Sequence, residues 1–381
     1  VPSADARPVR INLAPGPSQL LPLVPAAAAR FLSSGLAGLN HRSPEFTALM
    51  RELDARLRRC LALPDEFRLY HVSSATYAME LVLRNLVRRR CAALVAGAFG
   101  ERFAQVAALI GREAALTRLE TGSSLEGWRA AGPGRRVDDL FGSPAWREAE
   151  AWLLCHNETA AGTALPLDLL PAADSLRLVD CVSSAGAQQL PWAKADLWFF
   201  SVQKAFGCPP GLAVIAAGPR ALERARELEA EGRDTGAWFS FSRLEDNARR
   251  HQTPCTPNSL GLALLSAAAE RLAEEGVAPV EERCRAMRDR CVAWLDRHPV
   301  LGPGVPHPAD RSLTVTAVVR RDGGSLAGLG QALRCEGIVV GGGYGDWRGA
   351  SLRLAHFPAH AMADLEETLG TMDRLLDGGM A

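Results

Sequence analysis

The sequence predicts an α/β protein, with a large domain built on a mixed, mostly parallel sheet between helices and a smaller α+β domain behind it. Three observations lead there. Short apolar runs alternate with amphipathic helical stretches over roughly the first 220 residues, the pattern of a sheet covered on both faces. Polar residues recur where the apolar runs end, at Ser74, Asn157, Thr159, Asp180 and Lys204, and in open α/β sheets the carboxyl ends of strands are where ligands bind. From Ser259 the composition turns to Ala, Leu, Glu and Arg, which marks a change of architecture. At 381 residues the chain exceeds one typical domain. The expected divisions are an N-terminal segment 1–15 packing with the small domain, a large domain 16–257 and a small domain 258–381.

In chain order, an extended segment Val9 to Leu13 leads into A-P-G-P-S, a Pro and Gly turn. A helical pattern from Pro22 to Leu63 is interrupted at G-L-N-H-R-S-P-E-F, where Ser43 and Pro44 signal a new helix start and leave His41 and Arg42 just outside it. Arg68 to Val72 reads as a strand, Ser73 to Thr76 as a tight polar loop, and Tyr77 to Val87 as an amphipathic helix. Small hydroxylated residues before a helix leave backbone N–H groups directed at one spot, suited to a phosphate or to helix capping. Ala92 to Ala96 is a strand that turns at Gly97-Ala98-Phe99-Gly100 into a helix. Further strands are predicted at Trp152 to Cys155, Leu176 to Val179, Leu197 to Phe200 and Leu212 to Ala217. Two long helices, near Ser259 to Glu274 and Val280 to Asp296, open the small domain. Strands at Leu313 to Val319, Ile338 to Val340 and Leu352 to Ala355 alternate there with helices at Leu326 to Arg334 and Ala361 to Leu376.

The formal net charge is zero and no block of like charge stands out, which argues against nucleic acid or anionic membrane surfaces as partners. No apolar run approaches the roughly 18 residues of a membrane span, and the first residues lack a signal-peptide pattern, so a cytoplasmic protein is expected. Nine cysteines without a C-x-x-C argue against a disulfide framework and a zinc knuckle, and no metal is expected. Cys284 and Cys291, seven apart on one predicted helix, share a face and are read as core.

Lysine is nearly absent: of 43 basic residues only Lys194 and Lys204 are lysines. Arginine stays protonated and forms no imine, whereas a desolvated lysine amine becomes a nucleophile. Lys204 follows a buried-strand pattern and precedes a Pro-Gly turn, and Asp180 ends the strand before. A lysine and a buried carboxylate at neighbouring strand ends are the pair a pyridoxal phosphate enzyme requires, one to form the Schiff base and one to keep the pyridine nitrogen protonated. The Ser73 to Thr76 loop offers a phosphate cradle, and Phe99 a flat neighbour for the ring.

Eight stretches then carry a family resemblance: N-L-A-P-G-P-S, N-H-R-S-P-E-F, S-S-A-T-Y-A-M-E, N-E-T-A-A-G-T-A-L-P, V-D-C-V-S-S, F-F-S-V-Q-K-A-F-G-C-P-P-G-L, T-P-C-T-P-N-S-L-G and G-G-Y-G-D-W-R-G-A-S-L-R-L-A-H-F-P. In these the chain resembles the class V aminotransferases of pyridoxal phosphate fold type I, and most closely their phosphoserine aminotransferase-like branch. The resemblance implies that Lys204 is the Schiff-base lysine, that Asp180 meets the ring nitrogen, that Phe99 stacks on the ring and that Thr159 bonds its phenolic oxygen. It implies a phosphate site of Ser74, Ala75, Thr76 and Gln203, with Thr256 reaching the phosphate of the other subunit of a homodimer. Arg353 would fork onto the substrate α-carboxylate, and His41 with Arg42 would cross the interface to a distal anion. The implied reaction is a ping-pong amino transfer between L-glutamate and a 2-oxo acid, 3-phosphohydroxypyruvate in serine biosynthesis first. Two departures weigh on that substrate: Thr76 stands where the phosphoserine enzymes carry an arginine, and Gly341-Gly342-Gly343-Tyr344 where they carry a His-Arg pair. The A-S-L-R-L-A stretch is closer to the alanine- and serine-glyoxylate aminotransferases, which gives the alternative of an unphosphorylated substrate. A cysteine desulfurase would want a nucleophilic cysteine in a flexible loop, whereas Cys335 falls at a predicted helix end. A non-catalytic binding protein of this fold would have no reason to combine Lys204, Asp180 and Arg353.

Overall fold

A computed structural model of the chain describes residues 8–236 and 238–378. Residues 1–7 of the expected N-terminal segment, and 379–381 of the expected small domain, lie outside the described residues. Among the described residues the strands are β1 (Ile11–Leu13), β2 (Arg68–Val72), β3 (Arg90–Val95), β4 (Glu113–Arg118), β5 (Ala151–Cys155), β6 (Asn157–Glu158), β7 (Thr163–Ala164), β8 (Leu176–Asp180), β9 (Leu197–Ser201), β10 (Ala213–Ala217), β11 (Leu301–Pro303), β12 (Val315–Arg320), β13 (Ile338–Gly342) and β14 (Ser351–Ala355).

Seven strands form the large sheet in the order β2-β10-β9-β8-β5-β3-β4. Only β10 runs antiparallel to its neighbours, so the sheet is mixed and mostly parallel. Its apolar runs are continuous because both faces are covered. In β9 alternate side chains enter different cores, Trp198 and Phe200 on one face, Leu197 and Phe199 on the other. The first core packs against the Pro44–Leu61 and Ser259–Glu275 helices, the second against Ala75–Leu86 and Ala98–Leu109. The smaller sheet runs β1-β13-β14-β12-β11 over a third core. Its first strand comes from the start of the chain, with Ile11, Asn12 and Leu13 pairing in parallel with Ile338, Val339 and Val340.

Several elements differ from the sequence expectation, each for a local reason. β4 was not anticipated: it is an edge strand with one neighbour, β3, and charged residues at both ends hide its alternation. β11 is three residues containing Gly and Pro, too short for a periodic signal. β12 starts at Val315 instead of Leu313, because the Ser312 hydroxyl accepts from the backbone N–H groups of Thr314 and Val315 and turns the chain there. The polar loop after β2 is shorter than expected: the helix begins at Ala75, and Ser74 caps it by accepting from Tyr77 N at 3.1 Å. β13 runs two residues past the expected Val340, to Gly341 and Gly342, which pair with Arg353 and Leu352. Among the described residues no helix is long and apolar enough to cross a membrane.

Candidate active site

The carboxyl ends of the parallel strands converge on Lys204. β8 ends in Asp180, β9 in Ser201, β5 leads into Asn157-Glu158-Thr159, and β3 leads into the Ala98–Leu109 helix, whose second residue is Phe99. The two lysines have opposite environments. Lys194 is exposed and paired with Asp168 at 2.8 Å. Lys204 is only 6% exposed. Its ammonium nitrogen lies 5.5 Å from the centre of the Phe99 ring and has no hydrogen-bond partner among the described residues.

The start of the chain closes over this lysine. Ser18 N bonds to Gln203 O at 3.0 Å and Leu21 N to Gly207 O at 2.9 Å. Gly16, two residues before Ser18, adopts φ +143°, a conformation that favours glycine. A Cβ at Gly16 would stand 2.5 Å from Lys204 Cε, so any side chain there would displace the lysine.

Burial sets the electrostatics. Desolvation pushes the Lys204 amine down to about 8, helped by the Arg353 guanidinium and opposed by Asp180, Glu158 and Cys155. Desolvation pushes the Asp180 carboxyl up to about 7; the Val182 backbone N–H, bonded to its Oδ1 at 2.8 Å, pulls the other way, as do Lys204 and Arg102. Its second oxygen has no hydrogen-bond partner among the described residues.

Arg353 reaches this cluster from β14. Its Nε donates to Gly342 O at 2.9 Å and its Nη1 to Thr159 O at 3.0 Å, which fixes the guanidinium plane and leaves its Nη2 edge for an incoming group. Burial holds its pKa below the usual arginine value. The Thr159 hydroxyl donates to Ser183 Oγ at 2.7 Å within a buried network that includes Asn157 and Thr314. Tyr344 lies between Arg353 and Phe99. Its ring is parallel to Phe99, with centroids 5.7 Å apart and planes 6° apart, and the Arg353 guanidinium carbon is 5.8 Å from its centre. Its hydroxyl accepts from Arg102 Nη2 at 2.6 Å.

Lys204, Asp180, Phe99, Thr159 and Arg353 are thus brought together. Ala75 and Thr76 are the first residues of the helix capped by Ser74, and Gln203 precedes the lysine, half-buried. His41, Arg42 and Thr256 are not in this group. Arg42 instead donates to Gln252 Oε1 at 2.7 Å, and Thr256 is exposed four residues beyond that glutamine. Sequence reasoning missed Ser201, which ends β9 three residues before Lys204 and whose buried hydroxyl has no partner among the described residues. It also missed Glu158, Arg102 and Tyr344, none of which has a spacing signal of its own.

The residues present fit pyridoxal phosphate. An unpaired buried amine, a buried carboxylate with one free oxygen, an orphaned serine hydroxyl at the end of β9 and a helix N-terminus at Ala75 are what an aldehyde, a pyridine nitrogen and a phosphate need.

Comparison with known proteins agrees. The profile of the Aminotransferase class-V family matches residues 137–347, more than half of the chain. A phosphoserine aminotransferase from a Nocardioides species is 29% identical over 353 residues, covering 90% of each sequence. In three dimensions the chain is similar to a phosphoserine aminotransferase from Cytophaga hutchinsonii, with a TM-score of 0.87 and 27% identity, covering 98% of this chain and 99% of that one. It shares its fold with an alanine-glyoxylate aminotransferase from a Nostoc species, TM-score 0.76 at 24% identity, covering 99% and 97%. A lysine kept where arginine has replaced nearly every other, on a fold and a profile of this kind, leads to one conclusion: the chain belongs to the class-V aminotransferase family and is a pyridoxal 5′-phosphate-dependent transaminase of fold type I.

Proposed function

We propose that this transaminase moves an amino group from L-glutamate to a 2-oxo acid with a distal anion, 3-phosphohydroxypyruvate giving phosphoserine, in serine biosynthesis. In this reading the bound cofactor supplies an electrophilic carbonyl and an electron sink. Lys204 carries the cofactor and afterwards moves the proton at the substrate α-carbon. Asp180 holds the proton on the ring nitrogen, its own burial making that ion pair strong. Phe99 covers one face of the ring and excludes water. Thr159 would turn its hydroxyl from Ser183 to the phenolic oxygen, and Ser74, Ala75, Thr76 and Gln203 would hold the phosphate, with Ser201 added to them on the strength of its orphaned hydroxyl. Arg353 fixes the α-carboxylate of donor and acceptor alike.

The observation that carries the distal-anion reading is the pairing of Arg42 with Gln252. It ties the His41-Arg42 turn to the segment that ends in Thr256, so one surface patch would deliver both a phosphate contact and a distal-anion contact to a second copy. This reading needs a homodimer with shared sites. The names of the relatives at 27–29% identity support the same substrate. A second reading, an unphosphorylated partner of the alanine- or serine-glyoxylate kind, is favoured by Tyr344, which sets an aromatic ring beside Arg353. A donor screen with phosphoserine, glutamate, alanine and serine separates the two. Bleaching of the bound cofactor by phosphoserine supports the first; indifference to phosphoserine with turnover of alanine or serine and glyoxylate rejects it.

A further inference from the structure

Glu158 is 1% exposed, a carboxylate beneath the site to which the reaction gives no task. Among the described residues its side chain accepts from three backbone N–H groups, Phe99 N and Gly100 N at 3.0 Å on one oxygen and Ala160 N at 3.1 Å on the other. A protonated carboxyl would have to point its proton at a donor, so the geometry suits the anion, although burial raises the pKa. The Ala98–Leu109 helix has no cap of its own; its N-cap residue is Gly97. Glu158, arriving from β6, serves as that cap, and its charge complements the positive end of the helix. Space has been made for it: a Cβ on Gly97 would overlap Glu158 Cγ. The next residue, Thr159, supplies the carbonyl that binds Arg353.

We propose that Glu158 is the positioning residue of this site, joining the Phe99 wall to Thr159 and the Arg353 clamp, and lending a fixed negative charge to Lys204. Its carboxylate sets the height of the Phe99 ring through the two amides of residues 99 and 100. Its peptide bond to Thr159 refers that height to the guanidinium plane. Its charge acts with Asp180 and Cys155, and against Arg353, on the proton of the Lys204 nitrogen. The inference rests on the reading of Lys204 as the lysine that carries the cofactor.

Glu158→Gln keeps the size and removes the charge, and its amide cannot accept from both sets of N–H groups. Three readouts apply: thermal midpoint of the cofactor-free protein, pyridoxal phosphate affinity by quenching of tryptophan fluorescence, and the pH midpoint of the visible band of the loaded protein. Expected are a folded variant, cofactor binding weaker by about tenfold, and a band midpoint moved to lower pH because a neighbouring anion is gone. Gly97→Ala displaces the carboxylate without neutralising it, so it should weaken binding while leaving the midpoint nearer the parent's. Parental affinity and midpoint in Glu158→Gln overturn the proposal. If that variant does not fold, Gly97→Ala decides: weakened binding supports the joint, parental binding overturns it. Lys204→Ala is run alongside. A borohydride-reducible adduct that survives in it discredits the lysine assignment, whatever Glu158 does.

Discussion

Lys204 should make the cofactor-free protein less stable than it could be, and the size of that effect can be worked out. An ordinary lysine titrates at 10.5 and this one at about 8. Holding it charged inside the fold at neutral pH therefore costs about 3 kcal/mol, at 1.36 kcal/mol per pH unit. Between pH 8 and 10.5 the unfolded chain binds the proton and the folded chain does not, so stability rises with pH across that window; below pH 8 the cost is present in full. Lys204→Met fills the channel beside Gly16 with an apolar chain of similar length and removes the cost. The attraction of Asp180 and Glu158 is already contained in that net cost, so about 3 kcal/mol is a ceiling, and imperfect packing of the methionine brings the expected gain to about 1–2 kcal/mol. The assay is urea unfolding of cofactor-free parent and variant at pH 7 and at pH 10, comparing midpoints. Lys204→Met should be the more stable at pH 7, with the gap nearly closed at pH 10. A variant less stable than the parent at pH 7, or a gap independent of pH, would refute the account of a buried, desolvated amine.

Other outcomes follow from the same geometry. Lys204→Ala should abolish the borohydride-reducible adduct and turnover while the phosphate cradle still binds some cofactor, whereas Lys194→Ala, exposed and paired only with Asp168, should change neither. Asp180→Asn should keep the cofactor but slow single-turnover proton transfer by about a hundredfold or more, since an amide cannot hold the ring nitrogen protonated. Arg353→Ala should weaken every amino acid by about 1.5–3 kcal/mol, read as KM or as cofactor bleaching. Arg42→Ala should instead weaken phosphoserine selectively; equal loss of all donors, with dissociation seen by sedimentation, would show Arg42 to be a dimer contact instead.

Most of the large sheet was legible because buried parallel strands read as unbroken apolar runs and each ends in a residue of unlike character. Trp198 and Phe200 announce the strand as clearly as Lys204 marks its end. The scarcity of lysine singled out that residue before any comparison. What stayed hidden depends on approach between distant segments. Gly16 read as a turn glycine, and nothing in A-P-G-P-S says that a lysine nearly 190 positions later needs the space. Glu158 lies inside a motif that was quoted, yet its work is done on amides across the site, and amides carry no sequence signal. Tyr344 was seen only as the absence of a basic pair; its place against Phe99 arises from the pairing of β13 with β14. His41, Arg42 and Thr256 lie apart from Lys204 in a single chain, so a shared role for them depends on a second one.

The origin of β1 gives the small sheet a short lever on the lysine. Arg353 in β14 is opposite Gly341 in β13, and Val340 beside it pairs with Leu13 in β1. Three residues further on, Gly16 lies against the Lys204 side chain, and Pro15 occupies the space where a Cβ on Gly341 would be. The strand that carries Arg353 and the turn that crowds the amine are therefore joined by two strand pairings and a few peptide bonds. A substitution that shifts Arg353 in β14 therefore has a continuous path of strand pairings and peptide bonds to the amine.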